Sequence, residues 1–380
     1  MKISEKVLSH ISQHFINDFA PVYLYDTDII RDYCKRFISI PYTPKSIHFA
    51  TMANSNPEFL RIIREEGMGV FVNSPEHLKL VSEIGFKEKE IIFTASALCN
   101  DTMKLAQDAG VVVYLDSPGQ LEQWQKLFPD KPVGIRCNLG RMVTPIKTHA
   151  SYFIGEESRL GFSPEEISNQ KGNKNIIGLH LYVGTDILNY DYFFACYQSL
   201  LSFIKLFPNL RHIDMGGGFG INYNGSFPFD IEQYGKKLKV MMEEVANTSG
   251  NKLCLMLEPG RIIGAEAGYF ACLVTDVKIR KDKQLIGLNA STTQFPRPLF
   301  YPEKAIHPVA IIRDGVLANG TTVMSNVYGC STYSRDYFIK DASVPKTKIG
   351  DWVIFGNAGS YCAAAYTQFL GFLPAEEKFI

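Results

Sequence analysis

Three consecutive glycines stand in Asp214-Met215-Gly216-Gly217-Gly218-Phe219-Gly220, directly behind a short apolar run. Without Cβ atoms, the amides of such a turn can approach an anion closely, and ahead of a helix N-terminus the turn suits phosphate. Glu258-Pro259-Gly260-Arg261 ends another apolar run and places a carboxylate and a guanidinium within four residues. The first can pair with a ring nitrogen, the second with phosphate. His180-Leu181-Tyr182-Val183-Gly184-Thr185 closes a third run, and Asn357-Ala358-Gly359-Ser360-Tyr361 lies near the C-terminus. Arg297, in Phe295-Pro296-Arg297-Pro298-Leu299-Phe300-Tyr301, is the residue type for bidentate capture of a carboxylate. Each feature alone also has a plain reading: a turn without a ligand, an ion pair on a rim, a surface arginine. The G-x-G-x-x-G spacing of a dinucleotide site is absent.

What must position these residues is a repeated strand-helix unit. Eight apolar or β-branched runs read as strands: Ile47 to Thr51, Gly69 to Ser74, Ile91 to Ser96, Val111 to Asp116, Val133 to Asn138, Ile176 to Val183, Leu210 to Gly216 and Leu253 to Glu258. The stretches Pro57 to Glu66, Pro75 to Ile84, Asp101 to Ala109 and Pro118 to Leu127 have helical spacing and open near Asn, Ser or Pro. Eight such units predict a TIM barrel, an α/β fold whose functional residues lie at the C-terminal strand ends. An open doubly wound sheet is the alternative. After Gly268 the runs Ala271 to Val277, Val309 to Ile312, Thr321 to Val327 and Asp351 to Phe355 predict an antiparallel β domain. Pro21 to Asp26 reads as a strand before a helix near Asp28 and is expected to join that domain. The expected division is therefore a barrel over 28–268 and a β-barrel or sandwich domain from 1–27 and 269–380.

Taken together, these motifs resemble the fold-type III decarboxylases that use pyridoxal phosphate, such as the diaminopimelate and ornithine decarboxylases. Ile47-His48-Phe49-Ala50-Thr51-Met52-Ala53-Asn54-Ser55-Asn56-Pro57 is similar to that family's Tyr-Ala-x-Lys-Ala-Asn-x-x-Pro signature. The motifs keep the family's order and spacing over almost the whole chain. The resemblance implies that Thr185, Gly216, Gly217, Gly218, Arg261 and Tyr361 hold the cofactor phosphate and that Glu258 hydrogen-bonds the pyridine nitrogen. It also implies substrate contacts from Arg297, Tyr301 and Tyr333, an amino acid substrate with a distal carboxylate, and a homodimer with shared sites.

The departures gather where bonds would be made and broken. Met52 occupies the position of the lysine that holds the cofactor as a Schiff base, a bond that only an amine can form. Tyr182 stands for the family's ring-flanking histidine, Thr332 for its loop cysteine, and Phe71 for the Asp of ornithine decarboxylases. Lys45 lies seven residues before Met52, roughly 23 Å of extended strand, and cannot substitute. The expectation is a decarboxylase that holds pyridoxal phosphate noncovalently. The alternative is a non-catalytic member that binds the cofactor, another phosphorylated ligand or a partner protein. An alanine racemase relative shares barrel and cofactor but fits the glycine triplet and Glu-Pro-Gly-Arg less well. His48, His180 and His212 read as structural, and Cys330 and Cys362 as unreactive thiols.

Bulk composition narrows the classes further. Thirty-nine basic residues balance thirty-nine acidic ones, so no net field favours nucleic acid or an acidic membrane. Eight cysteines without a C-x-x-C pair argue against a disulfide framework or a metal site and predict a cytoplasmic setting. Met1 to Phe15 carries no apolar signal-peptide core, and no run is long enough to span a bilayer.

Overall fold

A short strand, β1 (Val22–Tyr25), precedes eight parallel strands that close on themselves: β2 (Lys45–Ala50), β3 (Gly69–Val72), β4 (Ile91–Ala95), β5 (Val112–Leu115), β6 (Val133–Arg136), β7 (Ile176–His180), β8 (His212–Asp214) and β9 (Cys254–Leu257). The circuit ends with Lys45, Ser46 and Ile47 of β2 paired to Leu255, Met256 and Leu257 of β9. Closure decides for the TIM barrel and against the open sheet. The structure, a computed structural model, describes residues 3–14, 19–147, 152–223, 228–302 and 305–380.

The helices begin where local chemistry starts them. Asn56, Ser74 and Ser117 each accept a hydrogen bond from a first-turn amide, and each is followed by proline. Those caps explain why Pro75–Ile84 and Pro118–Leu127 fall where the sequence puts them. The strands stop one to three residues before their apolar runs do. At the C-terminal ends the backbone still pairs, as in Cys137 N to His180 O at 2.7 Å and Leu181 N to Asp214 O at 2.9 Å. The side chains there have left the regular ladder to form the barrel mouth. Inside the barrel, three polar rings stand over glycines on neighbouring strands: His48 over Gly69, Tyr114 over Gly134 and His212 over Gly178. A Cβ on any of these glycines would strike the ring, so the barrel core is closed by bulk on one strand and its absence on the next.

The chain divides into two compact units, 31–262 and a second made of 1–30 with 263–380. The second unit contains β10 (Gly268–Arg280), β11 (Lys283–Leu288), β12 (Val309–Arg313), β13 (Val316–Leu317), β14 (Thr322–Tyr328), β15 (Tyr337–Pro345), β16 (Trp352–Phe355) and β17 (Glu376–Phe379). Its path runs β13-β12-β16-β10-β11-β14-β15, with β1 antiparallel to β10 and parallel to β17. The sheet is mostly antiparallel, but the β1–β17 and β11–β14 pairs are parallel, so it is mixed. A helix over Glu5–His14, not expected from sequence, packs Val7 and Ile11 with Val22, Leu24, Trp352 and Ile354.

Candidate active site

Adjacent strands β7, β8 and β9 deliver His180, Asp214 and Glu258 to one end of the barrel. Their exposures are 1%, 0% and 4%, and one ligand atom from each lies within 4.8 Å of those of the others. His180 Nε2 is 3.2 Å from Glu258 Oε2. Burial lowers the His180 pKa to about 4, although Asp214 opposes it. The imidazole is therefore neutral near pH 7, and it shares a hydrogen bond with the Glu258 carboxyl in which Nε2–H donates when Glu258 is ionised. Burial raises the Glu258 pKa to about 8, and it raises Asp214 well above the carboxylate range with the Glu258 charge adding to the effect. Gly216 N donates to Asp214 Oδ1 at 2.9 Å. Asp214 Oδ2, Glu258 Oε1 and His180 Nδ1 are buried without a hydrogen-bond partner. Unsatisfied buried polar atoms cost stability and mark a place where a further group belongs.

Beside this cluster the glycine turn is shaped by close backbone approach. A Cβ at Gly216 would overlap Leu181 O, at Gly217 Glu258 O, and at Gly218 Gly184 O. Gly216 (φ 67°) and Gly218 (φ 102°) also occupy the left-handed region. The triplet is thus required by the fold itself, whatever it binds. Glu258 N donates to Gly216 O at 2.8 Å, which ties the turn to the carboxylate. Ile187 N donates to Gly218 O, and among the described residues the Gly217 and Gly218 amides have no protein acceptor. Arg261 Nε lies 2.9 Å from Asp186 Oδ1, and Tyr223 donates its hydroxyl to the same carboxylate. Asp186 has φ 57°, and half-buried Thr185 precedes it, so the loop after β7 fixes the guanidinium next to the turn.

The ends of β2 and β3 carry different chemistry. Met52 is half-buried in a tight turn, Thr51–Ala53, directly after β2. Ala50 N donates to Pro259 O at 3.1 Å, which places this turn alongside the Glu258-Pro259 segment. Thr51 Oγ1 donates to Phe71 O at 2.9 Å. The Phe71 ring stacks on His180 with centroids 6.3 Å apart, and the Tyr114 ring lies 5.1 Å from the same imidazole. Tyr182 is half-buried, its ring met edge-on by Phe153 at 4.9 Å. Aromatic rings thus pack around His180, the buried neighbour of the two carboxyls.

In the second unit, Tyr361 is half-buried with φ 57°, and its segment is pinned by Ala358 N to Gly268 O at 2.8 Å and Gly359 N to Ala265 O at 3.2 Å. A strained non-glycine backbone held by such contacts is typical of functional loops. Thr332 is exposed, and Tyr333 is half-buried with its ring 5.5 Å from that of Phe369. Arg297 is only 2% exposed, and its Nη1 donates to His307 Nε2 at 3.4 Å, while Tyr301 is 40% exposed. The loop from Gly329 to Asp336 is organised by the Asp336 carboxylate, which accepts from Thr292 N and Oγ1, both at 2.7 Å, and from Ser331 N at 3.1 Å.

Sequence reasoning passes over Asp214, Asp186 and the participation of His180. The available signal for Asp214 is its place at the end of an apolar strand, directly ahead of three glycines. Asp186 has none, because its role depends on where Arg261 folds.

The chain matches the family described as "Pyridoxal-dependent decarboxylase, pyridoxal binding domain" over residues 28–265. It is 27% identical over 371 residues to the diaminopimelate decarboxylase of Streptomyces coelicolor, covering 91% of this chain and 81% of the relative. Against that of Methanothermobacter thermautotrophicus it is 27% identical over 370 residues, covering 92% and 84%. Among solved structures, it resembles diaminopimelate decarboxylase from Helicobacter pylori complexed with L-lysine, with TM-score 0.85, 23% identity and coverage of 96% and 93%. It also resembles lysine/ornithine decarboxylase complexed with putrescine from Vibrio vulnificus, with TM-score 0.83, 21% identity and coverage of 100% and 99%.

Proposed function

The chain belongs to the pyridoxal-dependent decarboxylases, lyases that act on amino acids, and from that premise we propose that it holds pyridoxal 5'-phosphate without a covalent bond. The observation that carries this reading is the buried Glu258 carboxyl, whose Oε1 lacks a partner at the edge of the glycine turn. A protonated pyridine nitrogen supplies the missing donor and, as a cation, favours the ionised form of a carboxyl that burial otherwise keeps neutral. The amides of Gly217 and Gly218 with Arg261 suit the phosphate, and Thr185 and Tyr361 are the further contacts expected there. The donor set fits the cofactor; Met52 does not fit a covalent link to it, since a thioether forms no imine.

When bound, the cofactor supplies an electron sink for the charge left by departing CO2. The chain's own residues do the rest. Glu258 would hold the ring nitrogen protonated, Tyr182 would offer it a flat apolar face, and the Phe71, Tyr114 and Phe153 rings, packed on His180 and Tyr182, would exclude water. Thr332 is the candidate for carrying a proton, though its hydroxyl is a weak acid. Without the lysine, exchange of substrate amines is slow, so turnover is slow. By analogy with the diaminopimelate decarboxylases to which the chain is similar, the substrate is an amino acid with a distal carboxylate, with Arg297, Tyr301 and Tyr333 as candidate contacts. The likeness to the family implies a homodimer with shared sites, and eight free thiols agree with a cytoplasmic setting; among the described residues no helix is long and apolar enough to cross a membrane.

The deciding experiment titrates purified protein with pyridoxal 5'-phosphate by absorbance, treats it with borohydride, and follows CO2 release from diaminopimelate, lysine and ornithine. A saturable spectral change, no borohydride-fixed mass adduct and slow CO2 release support the reading. Absence of any spectral change sinks it. Binding without CO2 release leaves the non-catalytic alternative, which the replacements at Met52, Phe71, Tyr182 and Thr332 favour.

A further inference from the structure

Resting on that reading, we propose that Asp214 keeps a proton and donates a hydrogen bond through it to Glu258, leaving Glu258 a carboxylate toward a cationic ring nitrogen; Asp214 is a positioning residue. Two acceptor oxygens of ionised carboxylates cannot satisfy one another. Yet Asp214 Oδ2 and Glu258 Oε1 are both buried without a donor, while the two carboxyls share a cluster with His180 in which one N or O atom of each residue lies within 4.8 Å of those of the others. A proton between the two groups satisfies both.

The surroundings decide which carboxyl keeps it. The titratable groups that act electrostatically on one or both carboxyls are His180 on β7, Arg136 at the end of β6, Tyr114 on β5, Cys254 on β9 and Tyr197, while Asp116 and Tyr182 act on Arg136. His180 Nε2 lies 3.2 Å from Glu258 Oε2, and its Nε2–H tautomer donates there and stabilises charge on Glu258. The Arg136 charge acts on Glu258 as well. Asp214 receives one backbone amide, from Gly216. Glu258 therefore has the better claim to the negative charge and Asp214 to the proton. Were the proton on Glu258 instead, the site would present a donor to the ring and could not hold a pyridinium.

Asn at position 214 has the shape and the donor of a protonated Asp but cannot ionise, so the test compares D214N with D214A. Infrared spectra are taken of cofactor-free protein at about pH 9, above the value of about 8 to which burial raises Glu258. They should show the carbonyl stretch of one un-ionised carboxylic acid, lost in D214N. Affinity for pyridoxal 5'-phosphate should stay within about threefold of wild type in D214N and fall about 10–100-fold in D214A, the range of one charge-assisted hydrogen bond. An acid band that survives in D214N, or a D214N affinity as poor as that of D214A, overturns the proposal. If D214A does not fold, as judged by thermal melting, D214N and the infrared band still decide. Because the band is read without cofactor, its presence in a protein that fails to bind pyridoxal 5'-phosphate would refute the proposed function and leave the proton on Asp214 standing.

Discussion

Two arcs of the same barrel mouth have diverged in character. Across the ends of β7, β8 and β9 stand a histidine, two carboxyls, a glycine turn and an arginine, locked together by strand-end hydrogen bonds. Across the ends of β2 and β3 stand Met52 and Phe71, an apolar thioether and a ring stacked on His180. The first arc has what a phosphate and a charged ring nitrogen would need; the second presents at residues 52 and 71 neither an amine nor a carboxylate. On the proposed reading, holding a cofactor and driving a reaction on it draw on different strands and are separable.

The sharpest way to break the comparison is to give the second arc its amine. Met52→Lys should raise the rate of decarboxylation about 10²- to 10⁴-fold, the usual worth of one acid-base group. It should also yield a borohydride-stable mass adduct at residue 52. A variant with neither would mean that Phe71 and Tyr182 have reshaped the mouth beyond the reach of a lysine.

The first arc can be tested through its backbone. A Cβ at Gly217 meets Glu258 O, a backbone atom that cannot swing away. Gly217→Ala should destabilise by at least about 1–3 kcal/mol, the cost of overpacking, and abolish cofactor binding. Gly67 is the control: it has φ 80° but nothing within 4 Å of an added Cβ, so Gly67→Ala costs only backbone strain of about 1 kcal/mol. Thermal melting of the two variants, with a cofactor titration, checks this; equal losses would deny the glycine turn its special packing.

The sequence makes one kind of information plain and hides another. Strand-helix alternation, caps such as Ser74-Pro75 and the glycine triplet are local signals, and they lead to the closed barrel. The order and spacing of the motifs lead to the family. Pairing partners are not local. That β17 lies parallel to β1, or that Asp186 meets Arg261, depends on distant segments converging. The strands look too long in the sequence because apolar residues such as Leu181 and Met215 continue past the ladder to line the mouth. Asp214 looks like an ordinary strand end there, since burial alone makes it unusual.

Glu258 lies at the boundary of the two arcs, and Glu258→Gln tests what its charge does. Glutamine keeps the shape and can still accept a hydrogen bond, but it cannot counter a pyridinium. Affinity for pyridoxal 5'-phosphate should fall about 10–100-fold, the value of a charge-assisted hydrogen bond. An unchanged dissociation constant would shift the weight of binding to the phosphate contacts alone.

The same substitution should have the opposite effect on the cofactor-free fold. Burial raises the Glu258 pKa from 4.5 to about 8, so its contribution to stability is present below pH 4.5 and is lost as pH rises through 8. His48 and His212 run the other way. Burial lowers both from 6.5 to about 4, so their contribution is present above pH 6.5 and is lost as pH falls through 4. Glu258→Gln removes the first dependence, eases that of Asp214, on which the Glu258 charge acts, and leaves those of His48 and His212. Its melting temperature should match wild type near pH 4.5 and exceed it at pH 8, by about 2–4 °C for each kcal/mol recovered. The part of the acid limb between pH 6.5 and 4 that belongs to His48 and His212, over Gly69 and Gly178, should be retained, while the part owed to His180 at the mouth changes with the loss of its Glu258 partner. A variant no more stable than wild type at pH 8 would mean that Glu258 ionises in the empty site at no cost to the fold, with Arg136 as its counter-charge.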